Sequence, residues 1–291
     1  MELTARDCQT IQLVHRYRFL RSPQIVLLLG ASPQPILRRL QLLYHHGYLE
    51  RPRAQLDYYH LTGSRPIVYG LGNKGAALLR NELAMRVPDV NWGEKNRSVG
   101  RIYLEHALLV SDIMVAFELG CRLNDQIRLI DQQDLVLPNE INREAQPFRW
   151  KVNFSSNASL GVIPDRVFAL ESSDEVGDTD RAYFFLEADR GTMPVKRTNL
   201  SQTSMYRKFL AYEATWQNGI HRSRFGFHRF RVLTVTKSAE RLHSLIETCS
   251  QLKSGHGLFL FTDRASISKP EDLFGPIWYP AKQSESRFLL N

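Results

Sequence analysis

Apolar residues recur at helical spacing through the first 85 positions, and proline or glycine punctuates the pattern. Ile11, Val14 and Leu20 among polar neighbours predict a helix from about Thr4 to Leu20. Ser22-Pro23 opens a second, short helix through Ile25, Leu28 and Leu29, and Gly30 stops it. A third opens at Ser32-Pro33, an N-cap followed by proline at the first helical position, and Gly47 closes it. Tyr48 to Arg51 then reads as a strand, a polar, aromatic and basic stretch runs to Arg65, and Ile67-Val68-Tyr69 reads as a second strand. Helical spacing returns from Asn73 to Met85.

Three helices followed by strand, loop and strand is the order of a winged helix-turn-helix, which we place at residues 1–86. Residues 87–100 hold Pro88, Gly93 and Gly100 without an apolar period and are expected to be a linker. Beyond it come a long helix from about Arg101 to Arg122, a strand-like run from Ile127 to Val136, and strands at Gly161 to Leu170 and Tyr183 to Asp189 around an acidic loop, 171–181. A helix around Ser201 to Trp216, a strand at Phe230 to Thr236, a helix at Ala239 to Leu252 and a strand at Leu258 to Thr262 complete the pattern. Residues 101–291 are thus expected to form a mixed sheet flanked by helices, and the chain as a whole an α/β (α+β) protein.

Charge separates the two parts. Up to Arg101 there are 15 Lys and Arg against 7 Asp and Glu; the remaining positions hold 23 of each sign, so the net +8 of the 291 residues lies in the first third. Such a bias predicts a polyanion-binding module joined to a neutral body. No run of eighteen apolar residues occurs, and Met1 to Leu20 carries charges where a signal core would be apolar, so neither membrane insertion nor export is expected and the cytoplasm is the predicted location. Cys8, Cys121 and Cys249 are far apart and in no C-x-x-C pair, which argues against a disulfide framework or a thiolate zinc site.

In the third helix, Ile36, Leu37, Leu40 and Leu43 are placed to face a core, while Gln34, Arg38, Gln41 and His45 form the opposite stripe. Arginine and glutamine make bidentate contacts to guanine and adenine edges in a major groove, and Arg39 lies within reach of a phosphate. Arg51, Arg53, Arg65 and Lys74 surround the expected wing and extend the basic footprint on duplex DNA. Tyr58, Tyr59 and His60 at its tip are placed either to contact DNA or to pack the wing on its body. Gly70-x-Gly72-x-x-Gly75 fits a dinucleotide fingerprint in form only, because helices and not a parallel βαβ unit surround it.

The second part carries acids at expected strand ends: Asp165 after Pro164, and Glu187 and Asp189 with one residue between them. A strand period of two puts Glu187 and Asp189 on one face, about 6 to 7 Å apart. If the strands are neighbours, Asp165 joins them in a three-carboxylate site suited to Mg²⁺ or Mn²⁺. The plain alternative is solvent-facing acids, or pairing of Asp165 or Asp189 with Arg166 or Arg190.

Pro164-Asp165, then Glu187-Ala188-Asp189, within this element order, resembles the PD-(D/E)XK nuclease superfamily. A winged helix followed by His106-Ala-Leu-Leu-Val-Ser-Asp112, Pro-Asp and Phe-Leu-Glu-Ala-Asp-Arg-Gly resembles, more narrowly, the replication-relaxation family. That resemblance implies a protein of plasmids or other mobile elements linked to replication and DNA relaxation. It makes Asp165 and Glu187 metal ligands, and it expects a lysine where Asp189 stands; Lys208, bordering the inward face of the next helix, and Arg190 are the candidates to replace it. Two functions follow: a double-stranded-DNA-binding protein with a nuclease-like scaffold, or a Mg²⁺- or Mn²⁺-dependent DNA endonuclease or nickase. A second copy or mobile-element proteins are the candidate protein partners.

Overall fold

A residue with positive φ ends the first helix before its apolar pattern does. In a computed structural model describing residues 1–58, 65–155, 158–173, 178–282 and 285–290, helix α1 is Ala5–Tyr17. Thr4 and Asp7 close a capping box at its start, and Arg18, at φ 69°, turns the chain into a three-residue strand, β1 (Phe19–Arg21). The pattern alone carried that helix to Leu20; the strand forms because Phe19 and Leu20, both wholly buried, pair with a later segment.

Helices α2 (Ser22–Leu29) and α3 (Pro33–His45) follow, with Gly30 in the left-handed region between them. Strands β2 (Leu49–Glu50) and β3 (Val68–Leu71) complete a three-stranded antiparallel sheet in which β3 lies between β1 and β2. Helix α4 (Asn73–Asn81) packs behind it. Gly72 and Gly75, the last two of the fingerprint-like glycines, back onto main chain: an added Cβ would lie 2.4 Å from Gly47 O and 2.3 Å from Tyr48 O. Close packing accounts for them, and Gly75→Ala is expected to destabilise by about 1 to 3 kcal/mol in urea unfolding. Tyr59 and His60 of the expected wing tip lie outside the described residues.

The expected linker is partly structured. Residues Trp92–Arg97 form α5, whose Asn96 is fully buried and donates from Nδ2 to Leu71 O at 2.6 Å, while Asn73 Oδ1 accepts from Gly93 N at 3.0 Å. The polar run lacks an apolar period because this helix is anchored by hydrogen bonds as much as by Trp92. The chain forms two compact units, Met1–Val115 and Ala116–Asn291, divided within the long helix α6 (Arg101–Arg122). On its first half, Ser111 Oγ donates toward Tyr17 O and Phe19 O at 2.9 and 2.7 Å.

The second unit is built on a six-stranded mixed sheet. Its strands are β4 (Ile127–Asp131), β7 (Arg166–Ser173), β8 (Thr179–Ala188), β9 (Phe230–Thr236), β10 (Phe259–Asp263) and β11 (Tyr279–Pro280), in the order β11-β10-β9-β8-β7-β4. β8, β9 and β10 run parallel, and the other pairs are antiparallel. A separate hairpin, β5 (Trp150–Ser155) and β6 (Ala158–Val162), was not anticipated beyond Gly161 and Val162. Helices α7 (Met205–Gln217) and α8 (Ala239–Ser250) cover one sheet face, where Val167, Phe185, Val232, Phe209, Leu245 and Phe261 share a core with Trp150 of the hairpin. Phe117, Phe168, Phe184 and Trp278 pack together on the other. Residues 174–177 of the expected acidic loop lie outside the described residues. The whole is a mixed α+β protein, and among the described residues no helix is long and apolar enough to cross a membrane.

Candidate functional site

Two places hold the predicted functional side chains, one in each unit. On α3, Ile36, Leu40 and Leu43 are buried, which turns Gln34, Arg38, Gln41 and His45 outward, and all four are exposed. Leu37, expected in the core, is instead 44% exposed. It lies beside Gln34 and Gln41, three and four residues away on the same surface. Arg53, Arg65 and Lys74 are also exposed.

Arg39 and Arg51 are built into the unit and do not extend that surface. The Arg39 guanidinium pairs with Asp7, its Nε donating at 3.0 Å, and also donates to Glu2 O, tying α3 to α1. Burial opposes a charge on Asp7, yet Arg39 and Thr4 hold its carboxyl below the ordinary range. The partners are 32 residues apart, a separation no helical period encodes. The Arg51 guanidinium lies over the Tyr44 ring, 4.2 Å from its centre, and donates to Tyr69 Oη at 3.0 Å. Replacing Arg39 with alanine is therefore expected to lower the melting temperature by uncovering a buried carboxylate, while Arg38→Ala leaves it unchanged; thermal denaturation of the two variants checks this.

In the second unit, Asp165 immediately precedes β7 and is pinned to the end of β8. Its N–H donates to Leu186 O at 2.9 Å, and its Oδ2 accepts from Ala188 N at 2.7 Å. Between those contacts sits Glu187, 2% exposed, on the face covered by α7. Lys208 Nζ donates to Glu187 Oε2, and Tyr212 Oη, one helical turn further along α7, donates to Oε1 at 2.6 Å. Burial pushes the Glu187 carboxyl up to about 7, the Lys208 ammonium pulls it back, and the charge on Asp165 adds to the rise. Burial also opposes the charge on Lys208, but the carboxylates of Glu187 and Asp165 outweigh it and hold the ammonium protonated. Burial, followed by Glu187, drives the Tyr212 phenol well above its usual range, so it stays a donor.

Asp189 does not join this group. Its Oδ2 accepts from Arg241 Nε and Thr236 Oγ1, both at 2.8 Å, and its Oδ1 from Arg241 Nη2 and Gly191 N at 3.1 Å. Arg241, 52 positions away on α8, neutralises it, so the convergence of three carboxylates on one cation is corrected: among the described residues no three His, Cys, Asp or Glu side chains form a metal-sized group. Arg166 is held by Asp131. Arg190 is half-buried and does not line the cleft at Glu187. In the first unit, Asp112 is engaged by Arg21 and Gln24.

Glu187 and Lys208 stand in a cleft of about 550 Å³ between the β5–β6 hairpin and the start of α7. Arg149, Lys151, Arg207, Thr203 and Ser204 line it as well, and none was anticipated. The alternation Arg149-Trp150-Lys151 was the available signal, an apolar residue facing inward between two cations facing outward.

A family model described as replication-relaxation matches residues 11–229. No curated protein and no solved structure matches the chain.

Proposed function

The chain belongs to the replication-relaxation family, and from that premise we propose that it is a double-stranded-DNA-binding protein of a plasmid or other mobile element, in which a winged helix brings a nuclease-like unit to DNA for replication, relaxation or regulation. The observation that carries this reading is the exposed Gln34, Arg38, Gln41 stripe on a helix whose opposite face is buried. Around it, three helices and a three-stranded antiparallel sheet follow the element order of a winged helix-turn-helix, with α3 as recognition helix. Arg53, Arg65 and Lys74 add charge for phosphate contacts. Selection from a random duplex pool tests it. The full chain is expected to enrich a common sequence, and Arg38→Ala to enrich one relaxed at a single position; recovery of the unselected pool by the wild type would count against recognition.

A second reading, a metal-dependent endonuclease or nickase, is favoured by one juxtaposition, Lys208 on Glu187 beside Asp165. Here Asp165 and Glu187 would hold a Mg²⁺ or Mn²⁺ ion, which would supply positive charge at a phosphodiester and an acidified water. Lys208 keeps its proton and faces the cleft, where it holds a phosphate oxygen. Incubation with supercoiled plasmid and Mn²⁺ decides between scaffold and enzyme. Nicked product that disappears in both Asp165→Asn and Lys208→Ala supports cleavage, whereas no product, or the same product from all three proteins, leaves the scaffold.

A further inference from the structure

The second unit carries 23 Lys and Arg against 21 Asp and Glu, and several of its arginines pair with carboxylates. Arg128 and Arg181 share Glu171, Arg166 meets Asp131, Arg224 meets Glu144, Arg229 meets Asp180 and Arg241 meets Asp189. Three cations at the cleft have no such partner. Arg149 has an amide partner, Gln146 Oε1 at 3.3 Å, Arg207 donates from Nε to Leu200 O, and neither they nor Lys151 meets a carboxylate among the described residues. Arg149 and Lys151 come from the start of the hairpin and Arg207 from the first turn of α7, yet all three line one cavity. Glu187, the carboxylate in that lining, is already balanced by Lys208. The cleft therefore presents an excess of positive charge.

We propose that this cleft is a second nucleic-acid site, one that grips the sugar-phosphate backbone of a single DNA strand through Arg149, Lys151 and Arg207. The inference rests on the reading that the chain acts on DNA. It separates strand from duplex by size: 550 Å³ is the volume of a cube roughly 8 Å on edge, narrower than the ~12 Å major groove of B-DNA alone. A duplex does not enter such a space, whereas one or two nucleotides of an unpaired strand do. Cations spaced along a groove track a strand backbone without reading its sequence. The N-terminus of α7, capped by Ser204, opens onto the same space and adds its dipole to the attraction for a phosphate. A strand held there passes Lys208 and Glu187, and relaxation or replication of a duplex requires unpaired DNA at some stage.

The test uses the full chain and a fluorescein-labelled twelve-nucleotide oligothymidine, read by anisotropy, beside a labelled duplex. R149Q/K151Q/R207Q is expected to lose at least tenfold in affinity for the oligothymidine while keeping its duplex affinity. Its slope of log affinity against log salt should shrink by about 2, since three single-strand phosphate contacts release their counterions at ~0.7 each. A comparison variant of equal charge, R38Q/R53Q/K74Q, should lose duplex binding and keep the oligothymidine. Because the cleft variant must retain wild-type duplex affinity, misfolding does not imitate the result. Unchanged oligothymidine binding and salt slope in R149Q/K151Q/R207Q would overturn the cleft site. Loss of duplex binding in that variant with none in R38Q/R53Q/K74Q would instead overturn the recognition helix.

Discussion

Replacing Gln34, Arg38 and Gln41 together by alanine is expected to lower affinity for the selected duplex by about 100-fold or more while leaving the fold intact. Each bidentate contact between such a side chain and a base contributes about 1 to 3 kcal/mol of discrimination. The three are exposed, and the residues that hold α3 in place, Ile36, Leu40, Leu43 and the Asp7–Arg39 pair, are untouched. Binding to unselected duplex should fall much less, because phosphate contacts at Arg53, Arg65 and Lys74 remain. A gel-shift titration on selected and scrambled duplexes measures the difference. Equal losses on both would mean that α3 contributes charge and not recognition.

The second large effect is on stability. Lys208→Met removes the cation from a carboxylate that is 2% exposed, and an uncompensated buried charge costs about 3 to 5 kcal/mol. The cost should depend on pH. Burial raises the folded-state pKa of Glu187 from 4.5 to about 7, so the folded protein binds more protons than the unfolded chain between those values, and this group's contribution to stability falls as pH rises through that window. Lys208 is charged throughout it and is what limits the rise. Without the lysine the carboxyl shifts higher still: at pH 5 it is neutral with or without its partner and little is lost, whereas at pH 8 the variant must bury a bare carboxylate or retain a proton. Urea unfolding at the two pH values should therefore give a larger difference between wild type and variant at pH 8. The same difference at both would indicate that Lys208 contributes packing and not charge.

Long amphipathic or uniformly apolar segments were legible, and pairings across the chain were not. The helix Arg101–Arg122 and the strand Phe230–Thr236 lie where their periods put them, since each pattern exceeds a full helical or strand repeat without interruption. Phe19–Arg21 was invisible as a strand because its apolar residues continue the period of α1, and the break is made by the backbone of Arg18. Likewise Arg39 and Asp189 carry chemistry that sequence spacing suggests for DNA and metal, but Asp7 and Arg241, distant in sequence, absorb it. Lys208 could be singled out because it borders the face defined by Met205, Phe209 and Tyr212, and the structure seats it on Glu187. The basic lining at Arg149 and Lys151 went unseen for want of a recognised strand at Trp150–Ser155.

The central claim, that this chain binds duplex DNA through its N-terminal unit, is tested most directly by anisotropy titration of the full chain with a labelled duplex between 50 and 200 mM salt. Four of the exposed cations on that unit, Arg38, Arg53, Arg65 and Lys74, correspond as phosphate contacts to a slope near −3.6 on logarithmic axes, and so to an affinity about 100-fold weaker at the higher salt. No binding at 50 mM, or binding that salt leaves unchanged, would contradict it.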